Sequence, residues 1–134
     1  MVHYIGVLDG SGDTWGVRIP DFPGCHGGGD SAEAAIADAV SAAQDWAEHQ
    51  GSKGRDMPRP RPLAQLIADG EMDAQSGDTA VMVPLLRNSG RPVRANLSLD
   101  AALLEAIDEA ARTRGLTRSA FIASAVRDKI MAES

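Results

Sequence analysis

The chain has 134 residues, a hydrophobic share of 43% and a formal net charge of −6, which suits one ordinary domain or two very small ones. Its single cysteine, Cys25, excludes an internal disulfide framework. The first residues lack the basic and apolar regions of a signal peptide, and no apolar run approaches the roughly 20 residues that span a bilayer. We therefore expect a cytoplasmic protein that does not enter a membrane.

Charge is distributed unevenly along the chain. Residues 1–90 carry six basic and thirteen acidic side chains, a balance of −7, whereas residues 91–134 carry seven basic and six acidic ones, a balance of +1. Six of those seven basic residues are arginines. An acidic first part and an arginine-rich second part indicate two different partners.

The first part has the pattern of a small α/β sandwich with the order β-β-β-α-β. Strands are expected at residues 1–8, 14–19, 24–28 and 80–86. Pro84 favours an edge position or an early end for the last strand. The helix is expected to start at a cap formed by Asp30 or Ser31, and Gly51 is expected to end it. A second, short helix is expected over residues 63–68.

In the first part, the glycines, Cys25, His26 and three of four carboxylates are better explained by structural roles than by catalysis or metal binding. Composition predicts turns at residues 9–13 and at the three glycines 27–29, which lack the lysine of a phosphate-binding loop. Cys25 is expected to be buried and His26 exposed, with no metal site, because neighbouring strand residues point to opposite faces. Four carboxylates near the strands raise the alternative of a metal-dependent nuclease, but a turn explains Asp9 and Asp13 better and a helix cap explains Asp30 better. These are Asp9, Asp13, Asp21 and Asp30.

Residues 88–92 have the composition of a linker, and the second part that follows has the predicted order strand, helix, helix. Residues 93–99 alternate strictly between apolar and polar side chains, which is typical of a half-buried strand. Asp100 is expected to cap the first helix, Gly115 to end it, and Thr117 to cap the second. No second strand follows in this part, so the strand requires a partner for its backbone groups. The simplest partner is the same strand of a second chain, in an antiparallel ribbon about a two-fold axis.

Such a ribbon presents Arg94, Asn96 and Ser98 on the face opposite its apolar side chains. Arginine forks onto guanine, asparagine pairs with adenine, and a two-stranded ribbon fits the major groove of DNA. These three residues are therefore the candidate base readers. Separately, no catalytic residue, cofactor or metal is expected. The start of the last helix supplies the candidate phosphate contacts, since a helix N-terminus attracts anions. They are Thr117, Arg118 and Ser119.

Two segments carry family resemblances. The runs R-A-N-L-S-L-D, L-L-E-A-I-D-E-A-A and R-G-L-T-R-S-A-F, between residues 94 and 121, resemble the ribbon-helix-helix family of DNA-binding proteins. The runs G-V-R-I-P-D-F-P-G-C, G-G-G-D-S and A-E-A-A-I-A-D-A, between residues 16 and 39, resemble HicB, the antitoxin of HicAB toxin–antitoxin pairs. In that family a domain similar to a partial RNase H fold precedes a DNA-binding domain.

The resemblance implies an α+β protein with a toxin-neutralising domain at 1–88 and a ribbon-helix-helix domain at 91–134. Its partners would be a small RNA-cleaving HicA-type toxin and double-stranded operator DNA, and its own operon would be repressed by a homodimer formed through the second domain. Whether dimers associate further stays open. The corner at residues 20–24 either contacts the toxin or only stiffens the chain. It consists of Pro20, Asp21, Phe22, Pro23 and Gly24.

A different class of function fits the same sequence. The chain could be a stand-alone ribbon-helix-helix repressor whose first domain senses a small molecule. A small basic reading frame beside the gene favours the antitoxin, and its absence favours the sensor.

Overall fold

The computed structural model describes residues 1–87 and 92–132. The chain divides into two compact units, Met1–Arg87 and Asn88–Ser134. Of the expected linker at 88–92, only Pro92 lies within the described residues.

The first unit is built on a four-stranded antiparallel sheet with the strand order β3-β2-β1-β4. The strands are β1 (Val2–Ser11), β2 (Thr14–Arg18), β3 (His26–Gly29) and β4 (Thr79–Leu85). Between β3 and β4 the chain forms α1 (Ala32–Ser52), α2 (Leu63–Ala68) and a short 3-10 helix (Ala74–Ser76). The predicted β-β-β-α-β order is confirmed, and so is the edge position of the strand that contains Pro84.

Helix α1 lies directly on β3 because the residues that face each other there are small. Ala35, Ala39 and Ala43 are fully buried along one stripe of the helix. Facing them on β3, a Cβ added to Gly27 would collide with the backbone of Ala39, and one added to Gly29 would come within 2.7 Å of the Ala34 Cβ. The prediction of a turn at residues 27–29 is therefore wrong. These glycines form a strand whose missing side chains leave room for the helix.

Replacing Gly27 by alanine is expected to destabilise the first unit by about 1–3 kcal/mol, the usual cost of overpacking. The added methyl group would meet backbone rather than a movable side chain. Gly28→Ala is the matched control, because its Cβ would meet only the Trp15 carbonyl oxygen, at 3.4 Å. Urea denaturation followed by tryptophan fluorescence measures both. Equal midpoints for the two variants would show that α1 does not need this close approach.

Three predicted boundaries differ from the structure. Strand β1 runs on to Ser11, which pairs with Thr14, so the hairpin turn is shorter than predicted. Ser31, and not Asp30, caps α1, since its hydroxyl accepts the Ala34 N–H at 3.1 Å. Gly51 does not end the helix, which continues to Ser52. The glycine with the left-handed backbone that commonly follows a helix is Gly54, with φ of +68°.

The second unit contains α3 (Ala101–Thr113) and α4 (Arg118–Ala132). Asp100 caps α3 by accepting the N–H groups of Ala102 and Leu103, and Gly115 follows the helix with φ of +67°. Thr117 Oγ1 accepts the Ala120 N–H at 3.1 Å. All three predicted helix boundaries are confirmed. Residues 92–100 form neither helix nor strand in the single chain, so the inter-chain strand at 93–99 stays a prediction.

Candidate functional site

The second unit exposes an apolar surface that a folded domain normally buries. Among its described residues, 92–132, only Ala111 has a buried side chain. Val93 is 88% exposed and Leu97 63% exposed. Other large apolar side chains are exposed as well: Leu99, Leu103, Leu116, Val126 and Ile130. Apolar exposure on this scale marks a surface for association.

Four of the six candidate DNA-contacting residues line one cleft of the second unit. Asn96 and Ser98 come from the segment before α3, and Arg118 and Ser119 come from the start of α4. Leu97 and other apolar side chains form the rest of the lining. Arg94 is exposed on the same segment outside the cleft lining. The fold therefore brings two residues from each predicted set together.

Thr117 and Arg118, at the start of α4, already make hydrogen bonds within the chain. The Thr117 carbonyl accepts the Phe121 N–H at 3.0 Å, in addition to the bond that the Thr117 hydroxyl accepts. Arg118 donates two hydrogen bonds to the carboxylate of Asp108, from Nε and from a terminal nitrogen, both 2.8 Å long. The hydrogen bonding of Arg118 is the main reason why the pKa of Asp108 lies below its ordinary value. Asp108 stands ten residues earlier on another helix, so no helical spacing signals this pair.

The corner at residues 20–24 is a folded turn whose centre belongs to the core. Phe22 is fully buried, and its ring stacks on Trp46 with the ring centroids 4.3 Å apart. The Ile19 carbonyl accepts the Phe22 N–H, and the Phe22 carbonyl accepts the Cys25 N–H. These contacts give Phe22 a structural role in the corner.

Asp21 is also buried, and Arg61 neutralises it. The Arg61 Nε lies 2.7 Å from one Asp21 oxygen, and the backbone N–H of Arg61 donates to the other at 3.0 Å. A second nitrogen of Arg61 bonds Asp69 at 3.0 Å, and the hydrogen bonds to Asp21 and Asp69 raise the pKa of Arg61. This network ties the loop before α2 to the corner. In the sequence, this network is signalled only by an arginine between Pro60 and Pro62.

The exposed part of the corner consists of Pro23 and Gly24, with Pro20 half-buried. Pro23 lines an open cleft of the first unit together with Trp46 and Arg55. Of the five candidate toxin contacts, these three residues are therefore accessible to a partner, and Phe22 is fully buried. Asp21 is largely buried but also lines this cleft.

Cys25 is buried and His26 is exposed, as predicted. Burial raises the pKa of the Cys25 thiol. Within residues 1–87 and 92–132, no three His, Cys, Asp or Glu side chains converge as metal ligands would. None of the helices in the described part of the chain is long and apolar enough to cross a membrane.

Proteins that are similar to this chain over nearly its whole length include a phage protein and a bacterial antitoxin. A protein of Haemophilus phage HP1 (strain HP1c1), called an uncharacterized 14.9 kDa protein in the rep-hol intergenic region, is 27% identical over 121 residues, which are 89% of this chain and 90% of the phage protein. The crystal structure of the Burkholderia pseudomallei antitoxin HicB is 28% identical and covers 97% of each chain, with a TM-score of 0.53. The resemblance therefore extends through both units.

A third similarity is limited to part of the chain. A chain in the solved HicA3–HicB3 toxin–antitoxin complex aligns with 64% of this chain and all of its own length, at 18% identity and a TM-score of 0.52. At that identity the likeness shows a common fold. The family described as HicB-like antitoxin of bacterial toxin–antitoxin systems matches residues 3–126. The chain thus belongs to the HicB-like antitoxin family.

Proposed function

We propose that this protein neutralises a small HicA-type RNA-cleaving toxin through its first unit and represses its own operon through a dimeric ribbon-helix-helix domain in its second. It acts by binding, without catalysis or a cofactor. The observation that carries the proposal is the family match over residues 3–126, which reaches from the first strand of one unit into the last helix of the other.

The proposed toxin partner is supported by fold and by charge. The similar chain of known structure belongs to a complex described as HicA3 and HicB3 toxin–antitoxin, and the region of similarity is 64% of this chain. Residues 1–90 carry a balance of −7, from six basic and thirteen acidic side chains. An RNA-binding enzyme needs a basic surface, and an acidic domain is complementary to it and competes with RNA.

The proposed homodimer is supported by the exposed apolar surface of the second unit. In an antiparallel ribbon, Val93, Ala95, Leu97 and Leu99 would share one face and become buried against the helices of both chains. Every residue from 92 to 103 is exposed in the single chain. A unit this small commonly depends on association to bury enough apolar area.

The proposed DNA contacts follow from the opposite face of the same ribbon. Arg94, Asn96 and Ser98 would point into the major groove, while the start of α4 would lie against the phosphates. Ser119 is accessible there, and its hydroxyl and N–H can donate to a phosphate oxygen. Arg118 can contribute only when Asp108 releases it.

The proposal predicts that the first unit alone binds the toxin. A fragment ending at Arg87 keeps the whole sheet, α1 and α2, so it should retain the toxin encoded beside this gene in a pull-down and should block RNA cleavage by that toxin. The fragment from residue 91 onward is the control and should retain none. Retention of the toxin by the second fragment alone would overturn the assigned division of roles. Absence of any toxin-like neighbour would favour the sensor alternative.

A further inference from the structure

The ion pair between Asp108 and Arg118 lies at the surface proposed to meet DNA. Its two hydrogen bonds are both 2.8 Å long, and the two side chains remain 44% and 53% exposed. Arg118 also lines the cleft that contains Asn96, Ser98 and Ser119. Arg118, which the fold brings into this cleft, is therefore already bound to a carboxylate of the same chain, in the bidentate geometry that arginine also uses for phosphate.

We propose that Asp108 is a specificity-determining residue, which holds Arg118 away from the DNA backbone and so keeps affinity for non-operator DNA low. The inference rests on the DNA-binding function proposed above. Phosphate contacts carry no sequence information and supply essentially all non-specific binding. A DNA phosphate could take over Arg118 only by leaving the Asp108 carboxylate unpaired beside a polyanion. That exchange gains little, so Arg118 stays on Asp108.

A purely structural role for the pair makes the opposite prediction. If the ion pair served only to fix the start of α4 against α3, its loss would misplace Ser119 and weaken binding to every DNA sequence. If it withholds Arg118, its loss must strengthen binding to DNA of unrelated sequence. The two roles are distinguishable because they predict changes of opposite sign in the affinity for unrelated DNA.

The test compares Asp108→Asn with Glu105→Gln in the full-length protein. Both substitutions remove one negative charge from α3, but Glu105 has no contact with Arg118 among the interactions described for either residue. Each protein is titrated against a duplex from immediately upstream of the gene and against a scrambled duplex of the same composition, at several salt concentrations. If Asp108→Asn regains two phosphate contacts per dimer, the slope of log affinity against log salt concentration should become steeper by about 1.8. Affinity for scrambled DNA should rise by roughly tenfold at low salt.

The expected result is this gain in Asp108→Asn, a much smaller one in Glu105→Gln, and its disappearance when Arg118→Ala is added to Asp108→Asn. In the wild-type protein, the NMR signal of the Arg118 Nε–H should not move when scrambled duplex is added. A shift of that signal, or scrambled-DNA affinity in Asp108→Asn no higher than in Glu105→Gln, would overturn the inference while leaving the repressor proposal intact. Wild-type protein that binds neither duplex would overturn the repressor function itself.

Discussion

Replacing Leu97 by aspartate is expected to weaken the dimer and operator binding strongly and together. Leu97 is 63% exposed in the single chain and occupies the middle of the apolar positions of the predicted ribbon. Burying one leucine contributes about 1.5–3 kcal/mol, and symmetry makes each loss count twice. The dimer should therefore weaken by roughly 100-fold to 10,000-fold. The cost of burying a carboxylate adds to this loss.

The control for this substitution is the adjacent Ser98→Asp, which places the same charge on the opposite face of the strand. It should leave the dimer intact and weaken only the binding of DNA, because the added carboxylate would face the groove. Light scattering at several protein concentrations reports the mass, and titration with the upstream duplex reports DNA affinity. A Leu97→Asp protein with an undisturbed dimer mass would show that the ribbon is not the dimer interface.

The second large effect is expected from Arg94→Ala and Asn96→Ala, which remove the proposed base contacts. Loss of a bidentate base contact costs about 1–3 kcal/mol, and each substitution appears in both half-sites of a dimer. Operator affinity should fall by about 2–6 kcal/mol in each variant. Affinity for scrambled DNA should change far less, most clearly for Asn96→Ala, which leaves the charge unaltered.

Arg127→Ala serves as the control for lost charge, since Arg127 lies on α4 outside the cleft and outside the predicted strand. It should reduce affinity for both duplexes to the same small extent. If Arg94→Ala weakened both duplexes equally, or if Asn96→Ala left operator binding unchanged, base reading would have to be assigned to another surface.

Local sequence predicts the parts of the fold that neighbouring residues determine. The strands expected at 1–8 and 80–86 and the caps at Asp100 and Thr117 depend on residues that are near in sequence, and the structure contains them. The glycines at 27–29 show where composition misleads. Glycine suits a turn, yet here it is needed because α1 touches the strand, and that contact joins residues on different elements.

Contacts between residues that are far apart in the sequence could not be predicted from the sequence pattern. Arg61 lies 40 residues from Asp21, so nothing in the local pattern indicated that Asp21 would be buried in an ion pair. Arg118 was predicted to bind phosphate from its place at a helix start, but its partner Asp108 depends on how α3 and α4 cross. In both cases the residue type, arginine, is one that binds anions, but only the fold determines which carboxylate each arginine meets.

The most direct test of these two roles is growth of cells that carry the gene of the proposed HicA-type toxin together with the Leu97→Asp protein. We assign toxin binding to residues 1–87 and DNA binding to the dimer of the second unit. Growth should therefore be restored as fully as by the wild-type protein, while a reporter driven by the upstream DNA should lose its repression. Loss of growth rescue by a Leu97→Asp protein that is still produced at the wild-type level would contradict this assignment, because toxin neutralisation would then depend on the second unit.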